Sequence, residues 1–338
     1  MKHHRVIVSK RGGPEVLHVI EEDVPKPNAG QVRVRVEAAG VSAYDLMLRR
    51  SGGSIPGAPR VPYSPGEDVI GVVDELGEGV SDVEPGQRVA VFTRGGGYAE
   101  YLCVPAENLV PVPPGVDAAQ AVCVVVNYLT AFLAMHETAH VHEGERILVH
   151  GAAGGVGSAL LDLGRIAGLE MCGTASSRNH DFVSAHGAIP IDYHTEDFVK
   201  RIRDLIGEGV DVAFDPIGGA RQILRSYRAL SKNGRLVWFG MAAAKKKGAR
   251  VIPYTLLMLG LLKLVPGQRQ APLMPALGDF IDKHPDWYPK TLADLLDLLA
   301  AKEIEPMVTE RISLHEARRA HEILQRGGHT GKVVLVTS

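Results

Sequence analysis

The chain is poor in cysteine, poor in aromatics and almost balanced in charge, and each shortage removes a class of protein. Its three cysteines, Cys103, Cys123 and Cys172, lie far apart and form no C-x-x-C pair. That excludes a disulfide framework and a cysteine-rich zinc lobe, and leaves each thiol to be read as a small buried hydrophobe in its apolar run. A net charge of −2 offers no single-sign field for nucleic acid or an anionic membrane. The one basic run, Lys245-Lys246-Lys247, is short, sits among Ala and Gly, and reads as a solvated loop. Long apolar runs are also lacking. "YTLLMLGLLKLV" (254–265) is too short to span a bilayer, carries Lys263, and reads as a buried or interface helix. The start, "MKHHRVIVSKRGG", becomes strand-like at once instead of showing a targeting segment. The expectation is a cytoplasmic protein with no integral membrane segment and no nucleic-acid partner.

What is present is enough for a full core. With 338 residues, 45% of them hydrophobic, the chain should form roughly two domains of about 100–200 residues. The first third is strand-like: "RVIVSK", "QVRVRVEAAG", "DVIGVVDELG", "QRVAVF" and "YAEYLCVP" alternate or run apolar between Gly/Pro turns. This spacing predicts a compact β-barrel or sandwich. From about residue 124 the rhythm changes. "NYLTAFLAMHETA" has helical spacing. Then strands ("RILVHG", "LEMCGTA", "VDVAFD", "RLVWFG") alternate with helices ("GGVGSALLDLGRIAG", "TEDFVKRIRDLIG", "ARQILRSYRAL"). That alternation predicts an α/β fold with a doubly wound parallel sheet. Thr195 is the expected N-cap of the "TEDFV" helix. Ser313 with Glu316 reads as a capping box for the helix that Gly327 and Gly328 end, and "GKVVLV" as a last strand.

The strongest single signal is "HGAAGGVG" (150–157), because it follows a strand and opens a helix. Gly154 lets the backbone approach a pyrophosphate, Gly157 lets helix pack on strand, and the helix N-terminus offers N–H groups and partial positive charge. Ala152 stands where a first glycine is usual, which the turn tolerates if φ there stays negative. Ala152, Gly154, Gly155, Val156 and Gly157 are thus the expected cofactor cradle. The next strand ends "GTASSRNH", with no acid before Asp181. A carboxylate would select the ribose hydroxyls of NAD. Ser176, Ser177 and Arg178 instead suit a 2′-phosphate, so the expected cofactor is NADPH, with Thr174 completing the set.

"GAAGGVG", "GTASS", "IDY", "DPIGG" and the N-terminal "AAGVSAYDLMLRRSG" and "PYSPGEDVIGVVDELGEGVSDVEPGQRVAVF" resemble the zinc-independent quinone oxidoreductase group of medium-chain dehydrogenase/reductases, the zeta-crystallin-like enzymes. "VVVNYLTAF" and "IDYHTEDFV" are more similar to its vesicle amine transport protein branch. The resemblance covers most of the chain and is weakest between about 241 and 290. It implies a GroES-like β-barrel domain (1–123 and 276–338), a Rossmann NADPH-binding domain (124–275), a substrate cleft between them, and frequent homodimers. Carried over to this sequence, Tyr193 would sit near the 2′-phosphate, and Thr130, Phe239 and Gly240 along the nicotinamide side. The expected reaction is hydride transfer to a quinone or an α,β-unsaturated carbonyl compound. Ser42, Asn127 and Tyr128 are the candidate substrate contacts, and Tyr44 and Tyr63 the candidate catalytic donors. Alternatives are an enoyl reductase acting on carrier-bound acyl chains, and a membrane-trafficking adaptor that binds NADPH without turnover.

No metal is expected in this reading. Zinc-dependent relatives hold the ion where this chain has Ser42-Ala43, Gly66-Glu67-Asp68 and about Val126, and Glu67 alone makes no site. "HETAH" (136–140) matches the H-E-x-x-H of zinc hydrolases. The extended form would want Gly at 143 and His at 146, where the chain has Glu143 and Arg146. Gly144 is expected to end that helix.

Overall fold

Valine alternation organises the first strands. In Gln31–Val41, Val32, Val34 and Val36 are buried while Arg33, Arg35 and Glu37 face outward or sit half-buried, the period of two that a one-sided sheet requires. The computed structural model describes residues 1–51, 57–240, 242 and 251–337, and the Lys245–Lys247 run lies outside them. Two units result: Met1–Leu129 with Ile281–Ser338, and Thr130–Phe280.

The first unit begins with an antiparallel pair, β1 (Lys2–Val8) and β2 (Leu17–Asp23). Next come β3 (Gln31–Val41), helix α1 (Ala43–Ser51), β4 (Asp68–Leu76), β5 (Arg88–Phe92), β6 (Tyr101–Pro105) and β7 (Leu109–Pro111). β3 is bulged twice along its pairing with β4, and its first half also pairs with β6. Helix α2 (Ala118–Ala139) is unusual: Val124–Tyr128 and Leu133–Ala139 are π-helical. Its 22 residues and hydropathy of 1.8 would suit a membrane span, but 72% of that stretch is buried inside the protein, as in a core helix.

The second unit is a parallel sheet with helices between its strands. In chain order these are β8 (Arg146–His150), α3 (Gly155–Ile166), β9 (Glu170–Ala175), α4 (His180–Ala185), β10 (Ala188–Asp192), α5 (Phe198–Ile206), β11 (Val210–Asp215), α6 (Ala220–Ala229) and β12 (Leu230–Trp238). The strand order is β10-β9-β8-β11-β12, every pairing parallel. The expected α/β class and doubly wound sheet are therefore present, and the order reverses between β8 and β11, where such sheets bind ligands at their carboxyl ends. Asp197, not Thr195, caps α5: its carboxylate accepts the Val199 and Lys200 N–H groups. Asp is as good a cap as Thr and sits two residues nearer the first apolar turn. Helix α7 (Val251–Leu262) buries Val251, Thr255, Leu259 and Leu262 but leaves Tyr254, Leu257 and Leu261 exposed, so it is covered on one face only.

Helices α8 (Leu277–Lys283) and α9 (Trp287–Ala300) lead back to the first unit. There β13 (Val308–Ser313), α10 (Ala317–Arg326) and β14 (Lys332–Val336) complete it, β14 pairing antiparallel with β3. Ser313 opens a single 3-10 turn ahead of α10 instead of capping the α-helix directly. Gly327 at φ +72° then ends that helix, a conformation that favours glycine.

Candidate active site

Because every strand of the second unit runs the same way, the segments after β8 to β12 share one edge of the sheet. The Gly151–Gly154 turn, Ser176–Arg178, Tyr193, Pro216–Gly219 and Phe239–Gly240 all lie there. The turn depends on two glycines. Gly151 has φ +64°, a conformation that favours glycine and that the motif spacing does not signal. At Gly157 a Cβ would stand 2.2 Å from the Gly151 carbonyl oxygen and 2.8 Å from Ala152 Cα, so only glycine lets α3 start this close to the turn. Ala152 is not among the positive-φ residues, which is why alanine is tolerated. The N–H groups of Gly155, Val156 and Gly157 open the helix with no carbonyl four residues back to accept them, a ready anion site.

Beneath the turn runs a buried polar chain that sequence reasoning missed. The Gly151 N–H donates to Thr174 Oγ1 at 3.2 Å. Thr174 Oγ1 lies 3.1 Å from His150 Nδ1, and His150 Nε2 lies 3.1 Å from Ser226 Oγ. Ser226 donates to Asp215 Oδ2 at 2.7 Å, and Asp215 Oδ1 accepts the Ile217 and Gly218 N–H groups. With the one Ser226 proton committed to Asp215, Ser226 must accept from His150, which fixes the Nε2–H tautomer and leaves Nδ1 to accept from Thr174. Burial holds His150 below its ordinary range, against the pull of Asp215. The chain thus ties together the ends of β8, β9 and β11. Thr174 is 1% exposed with its hydroxyl engaged here, so it shapes the turn from below. The available signal was a His ending the apolar strand "RILVH".

At the end of β9, Ser177 and Arg178 are exposed and Ser176 half-buried. Tyr193, 53% exposed, is brought beside them because its N–H bonds the Ala175 carbonyl and Asp192 pairs with Ala175. Asp192, at the end of β10, turns its carboxylate onto the His194 N–H, a bond that holds it below the usual carboxylate range. On the far strands, the Phe239 N–H bonds the Asp215 carbonyl. A Cβ at Gly240 would meet Pro216 O at 2.7 Å, so the β11 and β12 tails close together. Thr130 is half-buried on α2.

In the first unit the candidate substrate residues separate. Ser42 caps α1: its N–H and Oγ both bond Asp45 Oδ2 at 2.8 Å, and its Oγ accepts the Asp45 N–H. That commits its hydroxyl to the helix end, a correction that the Ser42/Asp45 spacing could have signalled. Tyr128 is also corrected, since at 1% exposure it is core packing. Asn127, in the first π-helical stretch, is buried, with its Oδ1 3.4 Å from Lys332 Nζ. Lys332 and Asp68 form an enclosed ion pair at 2.6 Å, with 3% and 0% side-chain exposure. Gly40 makes room for it, because a Cβ there would stand 2.1 Å from Lys332 Cε and 2.4 Å from Asp68 Oδ2. Tyr44 is 39% exposed. Burial pushes the Tyr63 hydroxyl up to about 12, with the Arg11 guanidinium 5.1 Å from its ring centre. Burial, reinforced by the carboxylates of Asp45 and Asp68, drives Glu67 well above the usual range.

These residues do not fit a catalytic zinc. Ser42 is a helix cap, Asp68 is neutralised by a lysine, and Val126 has no donor atom. "HETAH" makes no ligand set either. Its helix ends at Ala139, and His140 takes a left-handed cap at φ +50°. The early stop, five residues before Gly144, takes the second His off the helical face. The first, His136, packs on Phe132 and is pushed below its ordinary range by burial.

Known proteins resemble this chain over most of its length. Residues 28–114 match the profile of the alcohol dehydrogenase GroES-like domain, and 185–335 that described as zinc-binding dehydrogenase. The rat synaptic vesicle membrane protein VAT-1 homolog is 33% identical over 320 residues, covering 92% of this chain and 78% of that one. Rat quinone oxidoreductase is 30% identical over 332 residues, covering 96% and 95%. A mycobacterial protein solved in complex with NADPH superposes with a TM-score of 0.87 at 29% identity, covering 98% and 99%. The chain belongs to the medium-chain dehydrogenase/reductase family, in its zinc-independent quinone oxidoreductase group.

Proposed function

We propose that this chain is an NADPH-dependent reductase of quinones or α,β-unsaturated carbonyl compounds that works without a metal. One observation carries the reading: a glycine turn opens a helix at the switch point of a parallel sheet, with Ser176, Ser177 and Arg178 at the next strand end and no carboxylate among them. The printed name of the rat quinone oxidoreductase and the NADPH in the mycobacterial structure support it. Bound NADPH supplies a hydride. The protein's own residues bind and orient. The first N–H groups of α3 would hold the pyrophosphate, and Arg178 with the two serines would hold the 2′-phosphate. An oxyanion developing on the substrate needs hydrogen-bond donors in place beforehand. Lys332, which can only donate, holds Asn127 by its Oδ1, so the Asn127 amide N–H groups are left for that role. Tyr63, raised to about 12, stays protonated and can donate a hydrogen bond but is a poor source of a proton. Tyr44, on the first turn of α1, is the better candidate for proton delivery.

Titration with both dinucleotides tests the cofactor assignment. NADPH is expected to bind at least about tenfold tighter than NADH, and Arg178→Ala to close about that much of the gap, roughly 1.4 kcal/mol. Equal affinities in the wild type would overturn the 2′-phosphate site. NADPH oxidation with a panel of quinones and enones tests the reaction itself. A panel without turnover would overturn the reductase reading while leaving the cofactor site standing.

A further inference from the structure

Far from the glycine turn in sequence, three side chains of the first unit converge: His4 on β1, Glu100 just before β6, and His315 in the 3-10 turn before α10. Their ligand atoms all lie within 4.8 Å of one another. We propose that they form a site for a divalent transition-metal ion of the zinc class, built from none of the residues assigned above to cofactor or substrate and independent of the oxidoreductase reading.

The first argument is distance. Metal–ligand bonds of about 2.0–2.1 Å in a tetrahedral zinc site put neighbouring ligand atoms about 3.3–3.4 Å apart. His4 Nδ1 and Glu100 Oε1 are 3.3 Å apart, one edge of such a tetrahedron. The His4 and His315 rings have centres 4.7 Å apart and are tilted by 67°, so neither ring lies flat over the other. The third ligand atom, on the exposed His315 side chain, lies within 4.8 Å of the other two, and that side chain must close the remaining distance when an ion binds. Two imidazoles with one carboxylate select a borderline ion such as zinc, nickel or cobalt over calcium or magnesium, which want oxygen.

The second argument is support from the surrounding backbone. The other Glu100 oxygen, Oε2, accepts the His4 N–H at 2.7 Å, and the Glu100 N–H donates to the His4 carbonyl at 3.0 Å. The carboxylate is therefore aimed before any ion arrives, as the outer partners of a metal ligand do. β1 is fixed in turn by its ladder with β2. His3 points to the opposite face of β1, where it is buried with Nε2 3.2 Å from Glu22 Oε1, so it does not compete. The nearby cation, Arg5, is neutralised by Glu22 at 2.8 Å. The ligands come from residues 4, 100 and 315, so a bound ion would staple the first strand to the C-terminal return of the unit.

The test uses the full chain without an affinity tag, stripped with a chelator and titrated calorimetrically with zinc and with nickel. One saturable equivalent is expected, together with a rise in melting temperature of roughly 5 °C at saturating zinc. His315→Ala, on an exposed turn, and Glu100→Gln should each weaken binding at least about tenfold and remove the thermal shift. His18→Ala, an exposed histidine on β2, should change neither. Absence of saturable binding would overturn the site, and so would unchanged affinity in His315→Ala or equal loss in His18→Ala. NADPH affinity is expected to be the same with and without zinc, so failure here leaves the cofactor reading intact, and the converse holds.

Discussion

Lys332→Met is expected to destabilise the protein by about 3–5 kcal/mol, the cost of leaving a buried carboxylate without its partner. Burial is the largest influence on Lys332 and works against its charge, but Asp68 at 2.6 Å, with Cys123 and Asp45 adding to it, holds the ammonium above its usual range. Methionine has nearly the same volume, so the loss comes from charge, not from a cavity. For a unit of this size it corresponds to a fall in melting temperature of roughly 10 °C. The double variant Lys332→Met/Asp68→Asn leaves no uncompensated ion and should recover most of the loss, because buried pairs are expensive to break but cheap to replace as a pair. Gly40→Ala should hurt by a different route, driving a Cβ into both partners. Thermal and denaturant melts of the three variants check this. A single variant costing under about 1 kcal/mol, or a double variant as unstable as the single, would show that the pair is not what balances this region.

The same pair shows why some of the site was legible in the sequence and some was not. The glycine turn could be read because its demands are local: Gly157 and the start of α3 are neighbours along the chain, and strand, turn and helix each leave their own pattern. Arg178 and the missing carboxylate are local too. Long-range pairs leave no such trace. Nothing near Asn127 names Lys332, 205 residues on, and nothing near Tyr98 names His321, 223 residues away. Ser42 failed differently. Its spacing to Asp45 is a capping signal, but the same serine stands at a position of family interest, and the sequence alone does not separate the two roles. "HETAH" failed because a five-letter pattern assumes α-helical pitch. The π-helical stretch and the left-handed His140 both change which side chains share a face. Backbone conformations of this kind come from packing along the whole of α2, which no short window contains.

Acid is expected to weaken the first unit well above the range where carboxylates titrate, because His321 must stay neutral to remain folded. It is fully buried, and burial, with the Arg49 cation adding to it, pushes the imidazole down to about 3. The geometry gives the reason. His321 Nε2 lies 3.2 Å from the Tyr98 hydroxyl oxygen, and that hydroxyl donates to Asp45 Oδ2 at 3.3 Å, so Nε2 carries the proton and Tyr98 accepts it. Nδ1 is enclosed with no hydrogen-bond partner among the described residues. A second proton would have to sit there, unpaired and near Arg49. In the unfolded chain the same imidazole titrates near 6.5. Between about 6.5 and 3 the unfolded state therefore binds the extra proton and the folded state does not. The His321 contribution is complete above that window and is lost as pH falls through it. From pH 7.5 to 5 the loss is about 2 kcal/mol. Asp45 and Glu67, raised chiefly by burial, act in the opposite sense, since the folded state keeps protons that the unfolded state has released. The comparison that isolates His321 is thus wild type against His321→Phe, which keeps an aromatic ring edge-on to Tyr98. Denaturant melts at pH 7.5 and 5 should show the variant losing about 2 kcal/mol less than the wild type. Equal losses, or an imidazole resonance that titrates near 6.5 in the folded protein, would mean that His321 reaches solvent and that this buried chain does not set the acid limit.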